Sequence, residues 1–305
     1  MELVTLAAPG PEQGRFQAGT RGLVLIQALE GFIDAGGAAR LARQHLLGGG
    51  HSEVVATFDV DELFDYRARR PAMLFAEDHW ESYDGPALEL RLLHDDAGTP
   101  FMMLVGPEPD VQWERFVAAL ERLCDLLGVT TTVGLNAIPM AVPHTRPLGV
   151  IAHGSRKELV AGFETWVSTV QVPSSAGHLL EFRRGQAGRD AMGFAVHVPH
   201  YLAQVDYPAA SAVLLDAVST ATGLVLPTGS LREAAELVRE GVDAQVAASS
   251  EIAEVVAALE GQYDDLVRGR GARLLPGDGL PTADELGAEL ERFLAQQQKG
   301  DGQEG

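Results

Sequence analysis

The sequence predicts an α/β fold built on a mostly parallel central sheet, and three observations carry that prediction. Short apolar runs alternate with helix-forming stretches from Leu23 to Thr222, the rhythm of strand–helix units. Proline-marked polar segments separate those runs: Val142-Pro143-His144-Thr145-Arg146-Pro147, Pro173-Ser174-Ser175-Ala176-Gly177-His178 and His197-Val198-Pro199-His200-Tyr201. Proline cannot donate to a sheet ladder, so these segments read as loops that present polar groups. After Leu226-Pro227 the alternation gives way to helix formers.

Taken in order, Leu23 to Leu29 is a short apolar run that reads as a buried strand. Glu30-Gly31-Phe32-Ile33-Asp34-Ala35-Gly36-Gly37 joins it to an alanine- and arginine-rich helix ending near Leu47. Glu53 to Phe58 is a second strand, and Ala87 to Leu93 alternates like an edge or half-exposed one. Phe101 to Val105 is a central strand, Pro109 to Leu127 an amphipathic helix, and Thr130 to Ile138 and Gly149 to Ala152 are strands. Ala176 to Gln186 reads as helix, Gly193 to Val198 as strand and Pro208 to Thr222 as helix. Ser230 to Arg268 is almost continuously helix-forming, and Pro281 to Gln298 is a last helix capped by Thr282 with Glu285 three residues on. These elements divide into an α/β domain over 1–227, a helical extension over 228–298 and a disordered tail over 299–305.

The 305 residues are 46% hydrophobic, enough for a full core. A formal charge of -20 argues against nucleic acid and against anionic membranes as partners. Cys124 is the single cysteine, so neither an intrachain disulfide nor a cysteine zinc cluster can form. The N-terminus has no secretory pattern, and no stretch reaches the roughly 18 apolar residues of a membrane span, so a cytoplasmic location is expected.

The common nucleotide and catalytic motifs are missing: no G-x-G-x-x-G, no G-x-x-x-x-G-K-[ST], no G-x-S-x-G and no H-E-x-x-H. No cofactor and no metal is called for. Asp34 stands where a helix begins and reads either as its cap or as part of an anion site. Phe58 to Pro71 mixes acids with Arg67, Arg69 and Arg70 and reads as a capped turn held by arginine–carboxylate pairs. Ser175 precedes a helix and reads as a cap or as an anion-binding serine.

The order of these segments is more specific than any one of them. Gly31-Phe32-Ile33-Asp34-Ala35-Gly36, Phe58-Asp59-x-Asp61-Glu62-Leu63-x-Asp65-Tyr66-Arg67 with Arg70-Pro71, Gly106-Pro107-Glu108-Pro109-Asp110 with Trp113, and the three proline-marked loops with Asp206-Tyr207-Pro208 follow one another along the chain. The set resembles the bacterial, actinobacterial-type branch of the proteasome assembly chaperone 2 family over about Leu23 to Pro227. The resemblance implies a three-layer fold similar to nucleoside phosphorylases and peptidyl-tRNA hydrolases, with a C-terminal helical extension. It also implies a non-enzymatic protein-binding or assembly role, with a proteasome-related partner. Some relatives dock through a hydrophobic-tyrosine-any tail, whereas this sequence closes Gln303-Glu304-Gly305.

The alternative is a phosphorylase-like or hydrolase-like enzyme, or a binder of a small anionic ligand. For it, Asp34, His144, Arg146, Ser175 and His178 are expected to approach one another at the carboxyl edge of the sheet. Arg146 would fork onto the anion, and His144 or His178 would move a proton. The competing expectation is a rigid structural knot in which an acid such as Asp59, Asp61 or Asp65 consumes Arg146. A homo-oligomer, a trimer by analogy with phosphorylase-like relatives, is expected from the resemblance and from apolar positions such as Phe163 and Trp166, read as exposed in a loop-like region.

Overall fold

A computed structural model describes residues 3–7, 22–165 and 169–270. Eight strands form the main sheet: β1 (Val4–Leu6), β2 (Leu23–Glu30), β3 (Glu53–Phe58), β6 (Glu89–His94), β7 (Pro100–Pro107), β8 (Val129–Met140), β9 (Val150–Gly154) and β10 (Asp190–Pro199). Their order is β1-β3-β6-β7-β2-β8-β10-β9. The four central strands β7, β2, β8 and β10 run parallel, and the flanking pairs are antiparallel. Two further strands, β4 (Met73–Ala76) and β5 (His79–Tyr83), make a separate hairpin.

Helices cover both faces, which gives three layers. The helices are α1 (Ala38–Gly48), α2 (Val60–Leu63), α3 (Trp113–Leu127), α4 (Ala176–Gln186), α5 (Pro208–Thr222), α6 (Gly229–Ala248) and α7 (Ser250–Arg270). On one face, Ile26 and Ala28 of β2 pack with Ala38 and Ala42 of α1 and with Leu214 and Val218 of α5. On the other, Leu23 and Leu25 of the same strand pack with Phe116 and Leu120 of α3 and with Leu180 of α4. A parallel strand buried on both sides needs a continuous apolar run, as Leu23 to Leu29 provides.

Local chemistry explains how the helices are placed. In α3 the buried residues Phe116, Val117, Leu120, Leu123 and Cys124 recur at helical spacing. Burial pushes the Cys124 thiol up to about 12, so it is an inert core residue. The chain enters α1 through a short 3-10 turn in which Gly36 (φ 65°) and Gly37 (φ 57°) are left-handed. That curl brings the Asp34 carboxylate back onto Ala39 N (2.8 Å) and Arg40 N (2.9 Å).

Three elements differ from the sequence expectation. The alternating strand β6 is an interior strand, between β3 and β7; its alternation reports an antiparallel neighbourhood rather than an edge. The helix expected from Pro109 begins only at Trp113, because Gln112 is left-handed (φ 60°). The continuous helical stretch after Ser230 breaks at Ser249, which is extended, into α6 and α7. The expected helix over 281–298 and tail over 299–305 lie outside the described residues.

The chain divides into two compact units. One comprises Met1–Ser168 and Ser174–Tyr263 and holds the sheet, α1 to α6 and most of α7. The other comprises Thr169–Pro173 and Asp264–Gly305; within it Arg268 pairs with Asp265 at 2.5 Å. Among the described residues, no helix is long and apolar enough to cross a membrane.

Candidate functional site

The five sequence-selected residues fall into three local groups. Asp34 stands by itself at the N-terminus of α1, where its carboxylate is the cap. Burial raises its pKa, opposed by the two backbone hydrogen bonds and by Arg40 and Arg43.

Ser175 and His178 lie together on the face covered by α3 and α4. Ser175 Oγ accepts from His178 N (3.1 Å) and caps α4. Ser175 does not follow a strand end at this edge, since β9 is antiparallel to β10; α4 runs back along β10 and starts there. The Glu108 carboxylate, at the end of β7, accepts from Ala176 N and so occupies the start of the same helix. Arg69 donates to Glu108 O and pairs with Asp110 (2.6 Å). Gly31 (φ 126°) passes close beside: a Cβ there would stand 3.3 Å from Glu108 Cβ and 3.4 Å from an Arg69 guanidinium nitrogen. The His178 ring meets Phe32 edge-on (5.1 Å between centroids) and His153 (6.1 Å), and His153 Nδ1 contacts Glu181 at 2.8 Å.

His144 and Arg146 share the loop between β8 and β9, on the face covered by α5 and α6. Tyr201 OH accepts from His144 N (2.8 Å) and lies 2.7 Å from His144 Nδ1. On the other side of the ring, Nε2 faces Asp243 Oδ1 at 3.1 Å, so the imidazole is held between a hydroxyl and a carboxylate. Thr145 and Arg146 both donate to Glu260 of α7, the arginine at 3.3 Å. Tyr263 OH donates to Pro147 O (2.9 Å). The loop is thereby clamped to α6 and α7. Beside it lie a cleft of about 480 Å³ against α5 and α6 and another of about 420 Å³ against α6 and α7, with His144 in the wall of both.

The acids named as examples for Arg146 need correction. Arg146 pairs with Glu260 of α7. Asp59, Asp61 and Asp65 are used locally: Asp59 accepts from Asp61 N, Asp61 from Tyr66 OH, and Asp65 from Arg67 N. Burial of the Tyr66 hydroxyl is slight, yet its hydrogen bond to Asp61 pushes its pKa to about 12. Phe163 is also corrected: it packs against Phe194 (5.0 Å between centroids) and is half-buried. Trp166 lies outside the described residues.

Sequence reasoning passed over Tyr201, Glu108, Asp243 and Glu260. Tyr201 and Glu108 sit inside the motifs quoted above, so a signal existed. Asp243 and Glu260 are acids on helices crowded with acids, and nothing local marks them.

Residues 28–246, well over half of the chain, match the model of the PAC2 family. The chain belongs to the PAC2 family. It is similar to a Mycobacterium tuberculosis protein of unknown function, with 49% identity, 88% of this chain and 92% of that one covered, and a TM-score of 0.81. A Corynebacterium glutamicum protein of unknown function gives 38% identity, 88% and 98% coverage, and a TM-score of 0.82. A Mycobacterium tuberculosis proteasome-assembly chaperone homologue gives 26% identity, 77% and 100% coverage, and a TM-score of 0.70. No protein of curated function matches the chain.

A pH test follows for the α4 group of this PAC2 protein. Burial lowers the pKa of His178 from its ordinary 6.5, helped by His153 and opposed by Glu181. The unfolded chain therefore takes up this proton first as pH falls, so stability is lost on going below about 6.5 and flat above it. Glu108, raised by burial, acts in the opposite sense in the carboxylate range. Denaturant melts of wild type and His178→Asn should show a stability difference that is constant above neutrality and changes as the pH drops through the histidine range. A difference independent of pH would contradict the buried neutral imidazole.

Proposed function

We propose that this PAC2-family chain is a non-enzymatic protein-binding or assembly factor that works in the cytoplasm as a homo-oligomer, with residues 1–227 as its α/β body and 228–298 as a helical extension. The observation that carries the reading is the β4–β5 hairpin. Met73, Leu74, Phe75, Trp80 and Tyr83 are 49%, 53%, 53%, 62% and 55% exposed within two short strands that pair with each other. An isolated two-stranded hairpin is marginal in water, and clustered exposed aromatic and aliphatic side chains mark a surface meant to be covered. Arg67 and Arg70 precede the hairpin, and Glu77, Asp78, Glu81 and Asp84 lie on it, so two copies could set base against acid. A further protein partner of proteasome type rests on the likeness to the mycobacterial chaperone homologue.

The anionic-ligand reading is less well supported. The two helix N-termini that would receive an anion, those of α1 and α4, already hold Asp34 and Glu108. Light scattering at micromolar concentration tests the assembly. A mass that is a multiple of 32.5 kDa is expected, and a monomer mass would remove the proposal.

A further inference from the structure

The cleft of about 480 Å³ between the β8–β9 loop, α5 and α6 has a largely apolar wall. Leu148, Leu202, Ala212, Val213 and Val242 contribute to it, and Tyr207 stands among them. Tyr207 is only 5% exposed. Among the described residues its hydroxyl has no hydrogen-bond partner, yet it is not sealed off from solvent, and the cleft is the open space that Tyr207 lines. A buried hydroxyl is almost always paired, because an unmet donor is costly. Burial pushes this phenol up to about 12, and neighbouring Tyr201 adds to the effect, so the two hydroxyls lie near each other. The Tyr201 hydroxyl is 2.7 Å from Nδ1 of His144, itself part of the cleft wall, which places the Tyr207 hydroxyl toward the His144 end.

Helix α5 begins at the same cleft. Tyr207 is its N-cap residue, Pro208 follows at the first position, and no side chain caps the 15-residue helix. Ala209, in the first turn, is part of the cleft wall. An uncapped helix N-terminus carries partial positive charge and favours an oxygen acceptor. The arginines of the wall are already neutralised. Arg146 pairs with Glu260, Arg232 with Asp216, and Arg239 with Glu236 and Asp243. Glu233 adds a further acid to the wall. A ligand with a full negative charge would therefore meet carboxylates as well as guanidinium groups.

We propose that this cleft binds a small uncharged ligand with an apolar body and a carbonyl-type oxygen that accepts from the Tyr207 hydroxyl beside the first turn of α5. A phenol donates to such an oxygen, the helix N-terminus favours its partial negative charge, and the apolar wall takes the rest of the molecule. The volume of about 480 Å³ falls in the range of small-molecule sites. No residue of the β4–β5 hairpin lines the cleft, so the site goes beyond the assembly role and stands or falls without it.

Acetophenone, ethylbenzene and benzoate test the site on the full chain by NMR titration. They share a benzene ring and carry a neutral carbonyl, no oxygen and a carboxylate in turn. Acetophenone at millimolar concentration should shift the methyl signals of Leu202, Val213 and Val242, which line the cleft. Ethylbenzene should bind at least about threefold more weakly and benzoate at least about tenfold. Tyr207→Phe removes only a hydroxyl that bonds nothing on the described protein. It should bring acetophenone down to the affinity of ethylbenzene and leave ethylbenzene unchanged. Ala209→Leu, at a half-buried position of the same wall, should weaken both by about tenfold or more and provides a second measure should Tyr207→Phe fail to fold. Absence of shifts at these methyls, benzoate binding as tightly as acetophenone, an acetophenone preference that survives Tyr207→Phe, or unaltered binding in Ala209→Leu would overturn the proposal.

Discussion

Replacing Phe75 and Trp80 together by serine is expected to leave a folded protein that no longer self-associates. The two rings stack edge-on at 5.0 Å and are more than half exposed. Neither belongs to the two apolar clusters that hold the sheet to its helices. Removing them therefore costs the body little, and far-ultraviolet circular dichroism should be unchanged. At an interface, truncating a central aromatic costs about 2–4 kcal/mol, so the pair should weaken association by about a thousandfold or more. On the proposed hairpin interface, light scattering should return the single-chain mass for the variant and a larger mass for wild type at the same concentration. A variant that keeps the wild-type mass would move the interface away from the hairpin.

Arg184→Met is expected to have the largest effect on folding stability. Arg184 is completely buried. Its guanidinium donates to Thr130 O (3.1 Å) and Asp190 O (3.3 Å) and faces Glu121 at 3.3 Å. It ties α4 to the starts of β8 and β10 and to α3. Methionine fills much of the same space and donates nothing, so two carbonyls and a carboxylate lose a partner. Breaking a buried pair of this kind costs about 3–5 kcal/mol, and a Tm lower by about 10 °C follows. Glu121 keeps 19% exposure and Arg189 as a second partner, which favours the lower part of that range. A loss below about 1 kcal/mol, the value of an exposed pair, would show that the buried guanidinium is dispensable.

Most regular elements were legible in the sequence because their residues repeat at the period of the element. The run Leu23 to Leu29, the spacing of Phe116, Val117, Leu120 and Leu123, and the alanine-rich Pro208 to Thr222 each name their own structure. Elements that bury little were not legible. Met73–Ala76 and His79–Tyr83 show no alternation because neither strand faces the core, and Val4–Leu6 is too short to carry a period. Capping was legible for Asp34 and Ser175, since a cap acts on amides only a few residues away.

Pairings across long separations were another matter. Arg146 meets Glu260 and His144 meets Asp243 because α6 and α7 return to the β8–β9 loop. Nothing in either segment distinguishes those acids from their neighbours. The same holds for the cleft beside Tyr207, whose wall exists only once the β8–β9 loop, α5 and α6 have come together. By itself the sequence determined the family, the α/β alternation and the local caps, because those depend on residues near one another or on motifs in order. Only the tertiary structure decided which charges neutralise each other, which helix ends stay open and which apolar strands remain uncovered. Those outcomes depend on distances between segments that one-dimensional spacing does not encode.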